Sequence, residues 1–265
     1  MNPQTNPLPE QHLLVESDCQ YFELGATIKS VAAAQLVYMP GLEHLVSAAV
    51  VQRIEAKRVD CPLPDWLALI EQEAGAAGLN HLRLYLTTEP PQWPAILRMH
   101  GYSRREEVLL VTPVEPKPRS ELRLVPVQSP NAWTQRVALF QNDAHGSDGH
   151  HVDAAAWNAM EQRKAESRKF LVFNVLHGQD VIGAVGYLVV EGLFRMKNLY
   201  ICPAYRRKGF GRQIVAALQA VADELELQSF GVMAVQHGPA LALYRRCGLQ
   251  PIGMQYEWFK RLSPS

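Results

Sequence analysis

The sequence holds four cysteines, Cys19, Cys61, Cys202 and Cys247, and none belongs to a Cys-x-x-Cys pair. That spacing argues against a zinc knuckle or a thioredoxin-like motif. A chain so poor in cysteine is expected in a compartment that keeps thiols reduced, the cytoplasm. Long apolar runs are missing too, so no segment reads as a bilayer span. Lys plus Arg and Asp plus Glu number 26 each, and the formal net charge is zero. Such a balance argues against a general binder of nucleic acid or of a membrane surface. Met1 to Gln11, rich in Pro, Gln and Asn, has neither the basic start nor the apolar stretch of a signal peptide and reads as a loose tail.

With 265 residues the chain is too long for one small core and fits two modest domains or one large one. The clearest break is Val114 to Ser120, where Pro116 and Pro118 stand among charged residues. The expected domains are 12–113 and 121–265. Alternating strand and helix patterns on both sides give an α/β class. In the second half, Leu122 to Val127 reads as a strand, and Trp133 to Gln141 and Ala154 to Lys164 as helices. Phe170 to Leu176 and Val181 to Val190 read as strands joined by a turn from His177 to Asp180. A strand over Phe194 to Ile201 leads to a helix from about Gly211 to Leu227, with Ile214, Leu218, Val221 and Leu225 as its expected buried stripe. Phe230 to Val235 is a strand. The next helix has Pro239 in its first turn and Gly248 just past its end, and Ile252 to Phe259 is the last strand. The first half repeats part of this order: helix Asp65 to Ala77, strand His81 to Leu86, helix Trp93 to His100, then a strand through Val111. Gly101 and Gly248 occupy matching places, which suggests a diverged duplication.

The most specific signal is the passage from Leu199 to Arg212. A strand ends, Pro203 breaks it, Arg206, Arg207 and Lys208 follow, and Gly209, Phe210 and Gly211 open an amphipathic helix. Free amides at a helix start and the helix dipole make an anion site. Glycines admit unusual backbone angles and close approach, and Arg212 adds charge. This suits a pyrophosphate. A Rossmann loop needs a third glycine where Ile214 stands, and a Walker loop needs Gly-Lys-Ser/Thr where Gly211, Arg212 and Gln213 stand. The remaining pattern, a basic residue followed by Gly-x-Gly after a strand and a proline, resembles the GNAT acetyltransferase superfamily. The resemblance runs from about Glu121 to Leu262 in element order and is specific from Leu199 to Gly248.

That resemblance implies a GNAT fold: a mixed, mostly antiparallel sheet with flanking helices and a split between its central strands. The sequence supports the split independently. Phe194 and Met196 share one strand face, while Leu199 and Ile201 share the other, so burying both sets calls for a β-bulge between Met196 and Leu199. The resemblance implies that acetyl-CoA enters this split as co-substrate. The backbone of Leu199, Tyr200 and Ile201 would then face the thioester, and Arg206, Arg207, Lys208, Gly209, Phe210, Gly211 and Arg212 would hold the pyrophosphate. It also implies that Tyr244 donates a proton to the leaving thiolate; packing of Leu241, Tyr244 and Cys247 as a core face is the competing reading. Where the family has an Asn ahead of this last helix, His237 stands. Where its subgroups carry a catalytic Glu, Arg195 and Val232 stand, so the general base is open among Glu191, His145, His150, His151 and water.

No metal is expected. The polar segment 142–153 holds histidines without ligand register and reads as a substrate loop. In the first half, Asp60 to Pro64 has two prolines and no glycine at the matching place, so that half is expected to bind no acyl-CoA. The resulting expectation is an N-acetyltransferase acting on a small-molecule or protein amine by direct attack in a ternary complex, with an acyl-CoA-binding sensor as the alternative. Neither the acceptor amine nor an oligomeric state is named by the sequence.

Overall fold

The computed structural model describes residues 9–116, 121–141 and 153–262. The chain begins with helix α1 (Pro9–Glu23), then β1 (Thr27–Val31), β2 (Ala34–Tyr38), β3 (Ala49–Gln52), α2 (Leu63–Ala76), β4 (His81–Leu86), α3 (Trp93–Met99) and β5 (Ser103–Pro113). The second half supplies β6 (Arg123–Pro126), α4 (Pro130–Gln141), α5 (Ala154–Glu166), β7 (Phe170–His177), β8 (Asp180–Val190) and β9 (Leu193–Ile201). It continues with α6 (Phe210–Glu224), β10 (Ser229–Val235), α7 (Pro239–Arg246) and β11 (Gln250–Arg261).

All strands join one mixed sheet in the order β1-β2-β3-β4-β11-β5-β10-β9-β8-β7-β6. The run β3-α2-β4-α3-β5 is repeated as β9-α6-β10-α7-β11, which is the repeat that the glycines and helices of the sequence suggest. Its final strands are exchanged: β5 of the first half pairs with β10, and β11 of the second half pairs with β4. β5 and β11 pair with each other at the centre.

Period-two burial sorts the helices. Phe194, Met196, Val108 and Leu110 share a core with Ile214 and Leu218 of α6 and Leu241 and Tyr244 of α7. Leu82, Leu84 and Trp258 pack with Trp66 and Ile70 of α2 and Leu97 of α3. The opposite face carries α1, α4 and α5; there Phe170, Val172 and Leu188 meet Tyr21 and Phe22 of α1 and Trp133 of α4. The α6 stripe differs from the expected one. The helix buries Ile214, Val215, Leu218 and Ala222, while Leu225 caps it and is 47% exposed. The helix ends before Leu225, so the fourth expected position never reaches the core.

Helix α1 departs from the sequence pattern, in which Met1 to Gln11 reads as a tail and no helix follows. Its buried face includes Ser17 and Asp18 beside Leu14, Tyr21 and Phe22, so no clean apolar stripe marks it. The buried Lys164 ammonium donates to Tyr21 O at 2.7 Å and Phe22 O at 3.4 Å, supplying donors to the last carbonyls of α1. Strands β1 to β3 were likewise unread.

Candidate active site

Strands β9 and β10 run parallel and pair only from Leu193 to Arg195 against Ser229 to Gly231. Beyond that they part. The register of β8 against β9 slips between Ala184 and Gly186, whose partners are Tyr200 and Lys197, which places a bulge in the interval that side-chain parity predicts. Asn198 takes the bend with φ 55°, a left-handed angle that Asn tolerates better than most residues. Its side-chain amide donates to Tyr21 Oη at 2.8 Å and Glu161 Oε1 at 2.9 Å. Glu161 is in turn held by a doubly bonded Arg136, at 2.6 and 2.8 Å, with neither side chain exposed. The bulge is thus tied to α1, α4 and α5. Gly183 is required opposite: a Cβ there would run into the carbonyl of Tyr200.

Past the bulge, Cys202 N–H donates to Ile182 O at 2.9 Å, toward β8. Backbone direction alternates along a strand, so Tyr200 also faces β8, while the amides of Leu199 and Ile201 point to the open side. Tyr200 is buried and its hydroxyl donates to Leu139 O at 3.2 Å. Arg206 Nε donates to Ile201 O at 2.8 Å, folding the loop back over the strand end.

The loop then delivers α6. Gly209 is its N-cap with φ 85°, in the left-handed region. The amides of Phe210 and Gly211 stand ahead of the first intrahelical bond, which Arg212 N–H makes to Gly209 O at 3.1 Å. Arg206, Arg207, Lys208 and Arg212 are exposed around them. The two glycines serve different ends. A Cβ at Gly209 meets nothing, whereas one at Gly211 would lie 2.9 Å from Leu243 Cδ2 of α7, whose side chain would have to shift. The Phe210 ring lies 5.0 Å from that of His177, centroid to centroid.

Tyr244 is 6% exposed, within the core that also holds Met196, Val232 and Leu241. Burial pushes its phenol up to about 12, partly offset by the Arg195 guanidinium, so it keeps its proton at neutral pH. The two positions where a catalytic Glu was sought are structural. Val232 is a core residue, and Arg195, 3% exposed, pairs with Asp18 of α1 at 3.2 Å. Glu191 sits in the β8–β9 turn, at the closed end of the nine-residue β9. At about 3.3 Å per residue it is roughly 25–30 Å from the open end, too far to act there. His145, His150 and His151 lie outside the described residues.

The structure adds a carboxylate that local motifs could not reveal. Glu107 of β5 stands opposite Val235, the last residue of β10, and opposite Gln255 of β11. Its side chain is 12% exposed and receives Arg105 at 3.2 Å. Burial and the neighbouring Glu257 raise its carboxyl to about 7 despite Arg105. Glu257 goes the other way: Arg83, at 2.7 Å, and Arg105 overcome its burial and hold it at about 2. Asp18 completes the group, accepting from Lys197 at 2.5 Å as well as from Arg195.

At the matching place in the first half, α2 starts at Leu63 with Pro62 as N-cap, Pro64 in its first turn and the acidic Asp65 beside it. That end lacks a donor and carries the wrong charge for an anion.

Residues 134–249 match the Acetyltransferase (GNAT) family. Among curated proteins none matches the sequence. Among solved structures, a GCN5-related N-acetyltransferase from Kribbella flavida is 14% identical, with 93% of each chain covered and a TM-score of 0.63. A conserved protein of unknown function from Staphylococcus epidermidis is 13% identical, covering 91% of this chain and 96% of its own, with a TM-score of 0.65. A tandem GNAT protein from the clavulanic acid biosynthesis pathway is 13% identical over 98% of both chains, with a TM-score of 0.57. At these identities the likeness is one of fold, and it spans both halves.

Proposed function

From the match of residues 134–249 to the Acetyltransferase (GNAT) family, we propose that this chain moves an acetyl group from acetyl-CoA to a primary amine by direct attack in a ternary complex. The observation that carries the reading is the opening between β9 and β10 beside a basic helix start whose N-cap is Gly209. The pyrophosphate lies against the amides of Gly209, Phe210 and Gly211, with Arg206, Arg207, Lys208 and Arg212 around it. The pantetheine arm follows Leu199 to Ile201 into the split. An outward amide of Leu199 or Ile201 polarises the thioester carbonyl and stabilises the oxyanion that forms when the amine attacks. Collapse of that intermediate expels CoA thiolate, and Tyr244 supplies the proton.

The attacking nitrogen must also lose a proton. Glu107 flanks the last residue of β10, and its raised carboxyl is matched to accepting a proton near neutral pH. In this reading the base comes from the first half, delivered by the exchanged strand.

The test is release of free thiol from acetyl-CoA by the full chain, screened over a broad set of amines, beside calorimetry of acetyl-CoA binding. Amine-dependent thiol release is expected. Tight acetyl-CoA binding with no thiol release from any amine would make the protein an acyl-CoA sensor, and absence of binding would remove both readings.

A further inference from the structure

Under α1, on the side of the first half, lies a cavity of about 350 Å³, within the range of small-molecule sites, roughly 300–1,000 Å³. It occupies a second split in the sheet. Strands β3 and β4 run parallel and meet only at Val51 and Leu84. The next residues on each strand, Gln52 and Tyr85, line the cavity together with Asp18 of α1 and Gln255 of β11, while Phe22 and Ile54 supply apolar wall.

Charged groups of Glu16, Arg53 and Glu55 also line it, and two of its buried polar atoms lack a partner among the described residues. Gln52 and Gln255 are 2% and 3% exposed, yet the side-chain carbonyl oxygen of each lacks a hydrogen-bond partner. For Gln52 the orientation is fixed. Its Nε2 donates to Cys19 O at 3.4 Å and Glu23 Oε1 at 2.9 Å, and reversal would set oxygen against oxygen. Both ion pairs of Asp18 fall on Oδ1. Buried acceptors left without donors are costly and rare in native proteins. The complement of these two oxygens is a small molecule that brings N–H or O–H groups.

A row of paired strand residues links the cavity wall to the proposed transfer site. Gln255 pairs with Glu107, and Glu107 with Val235 at the open end of the β9–β10 split. Two strand spacings of about 4.8 Å separate the β11 wall from β10. Asp18 reaches from the cavity to Lys197 on the far side of the split.

We propose that this cavity is the acceptor site and that it takes a small primary amine bearing further N–H or O–H donors, of the amino sugar or amino alcohol class. The proposal rests on the acetyl-transfer reading above. The second half then holds the acyl donor, the first half holds the acceptor, and Glu107 stands between them.

The test uses the full chain with glucosamine, ethanolamine and serinol as probes. Each is titrated by calorimetry without acetyl-CoA and assayed for thiol release with it. At least one is expected to bind and to be acetylated. Gln255→Leu, which removes an acceptor at similar volume, should raise the Kd and KM of that amine about tenfold, the effect of one lost buried hydrogen bond, and leave the KM for acetyl-CoA unchanged. Gln255→Glu keeps an acceptor and should keep binding. If Gln255→Leu does not fold, Gln52→Leu is read in the same way. Equal amine affinity in wild type and variants, or binding of none of the three probes, overturns the site and leaves the acetyl-transfer reading standing. Failure of wild type to bind acetyl-CoA overturns that reading and the acceptor role with it.

Discussion

Tyr244 and Glu107 come from different halves of the sequence, and each has a chemical state suited to its proposed part. Tyr244→Phe keeps the buried ring and removes the donor. We expect kcat to fall roughly ten- to a thousandfold while acetyl-CoA affinity holds; unchanged kcat, with chemistry rate-limiting, would return Tyr244 to a packing role. Glu107→Gln has two readouts. In activity, the rise of kcat/KM with pH near 7 should disappear. In stability the sign follows from linkage. A carboxyl raised from 4.5 to about 7 binds its proton more tightly in the folded state. Its contribution is therefore full below 4.5 and is lost as pH rises through 7. The variant should escape that loss, so its Tm should gain on wild type across this window, and parallel Tm curves would refute the buried carboxyl. Glu257, lowered to about 2, acts oppositely: its contribution is present above 4.5 and is lost as pH falls toward 2. The burial of Tyr244 with Leu241 was readable because their helix carries a local pattern. Glu107 and Asp18 were not, because their meaning arises from strand pairing and helix packing across the two halves.

At the scale of elements, the loop into α6 was legible because each of its parts is local: a strand end, a proline, a basic run and two glycines. The bulge was legible from parity alone, since Phe194 and Met196 cannot share a face with Leu199 and Ile201 without a slip. Helix α1 escaped because it buries Ser17 and Asp18 among its apolar residues. The roles of the two glycines also needed the structure. Gly211→Ala should displace the Leu243 side chain of α7, so substitution there mixes packing with binding. Lys208→Glu is the cleaner probe, being exposed beside the helix start. It should weaken acetyl-CoA binding about tenfold or more, an effect reduced by added salt, with Tm unchanged. Calorimetry at two ionic strengths checks this; equal affinities for wild type and variant would detach the loop from the cofactor.

For the whole molecule, the exchange of β5 and β11 governs what either half can do alone. From sequence, 121–265 reads as a separable domain with its own final strand. In the structure that strand lies between β4 and β5, and β10 is completed by β5, residue against residue from Ser229 to Val235. A fragment 121–265 would expose the β10 edge and strip β11 of both neighbours, leaving Trp258, fully buried among α2 and α3 residues, without its core. Unpaired edges and uncovered apolar faces favour aggregation. We therefore expect 121–265 expressed alone to give no cooperative thermal transition, and co-expression with 1–120 to restore one assembled species that binds acetyl-CoA once per pair. The proposed chemistry requires the same assembly, because Glu107 reaches the split only on β5. A sigmoidal melt and undiminished thiol release from 121–265 alone would show that β11 can fold back beside β10 and that the first half is dispensable to the reaction.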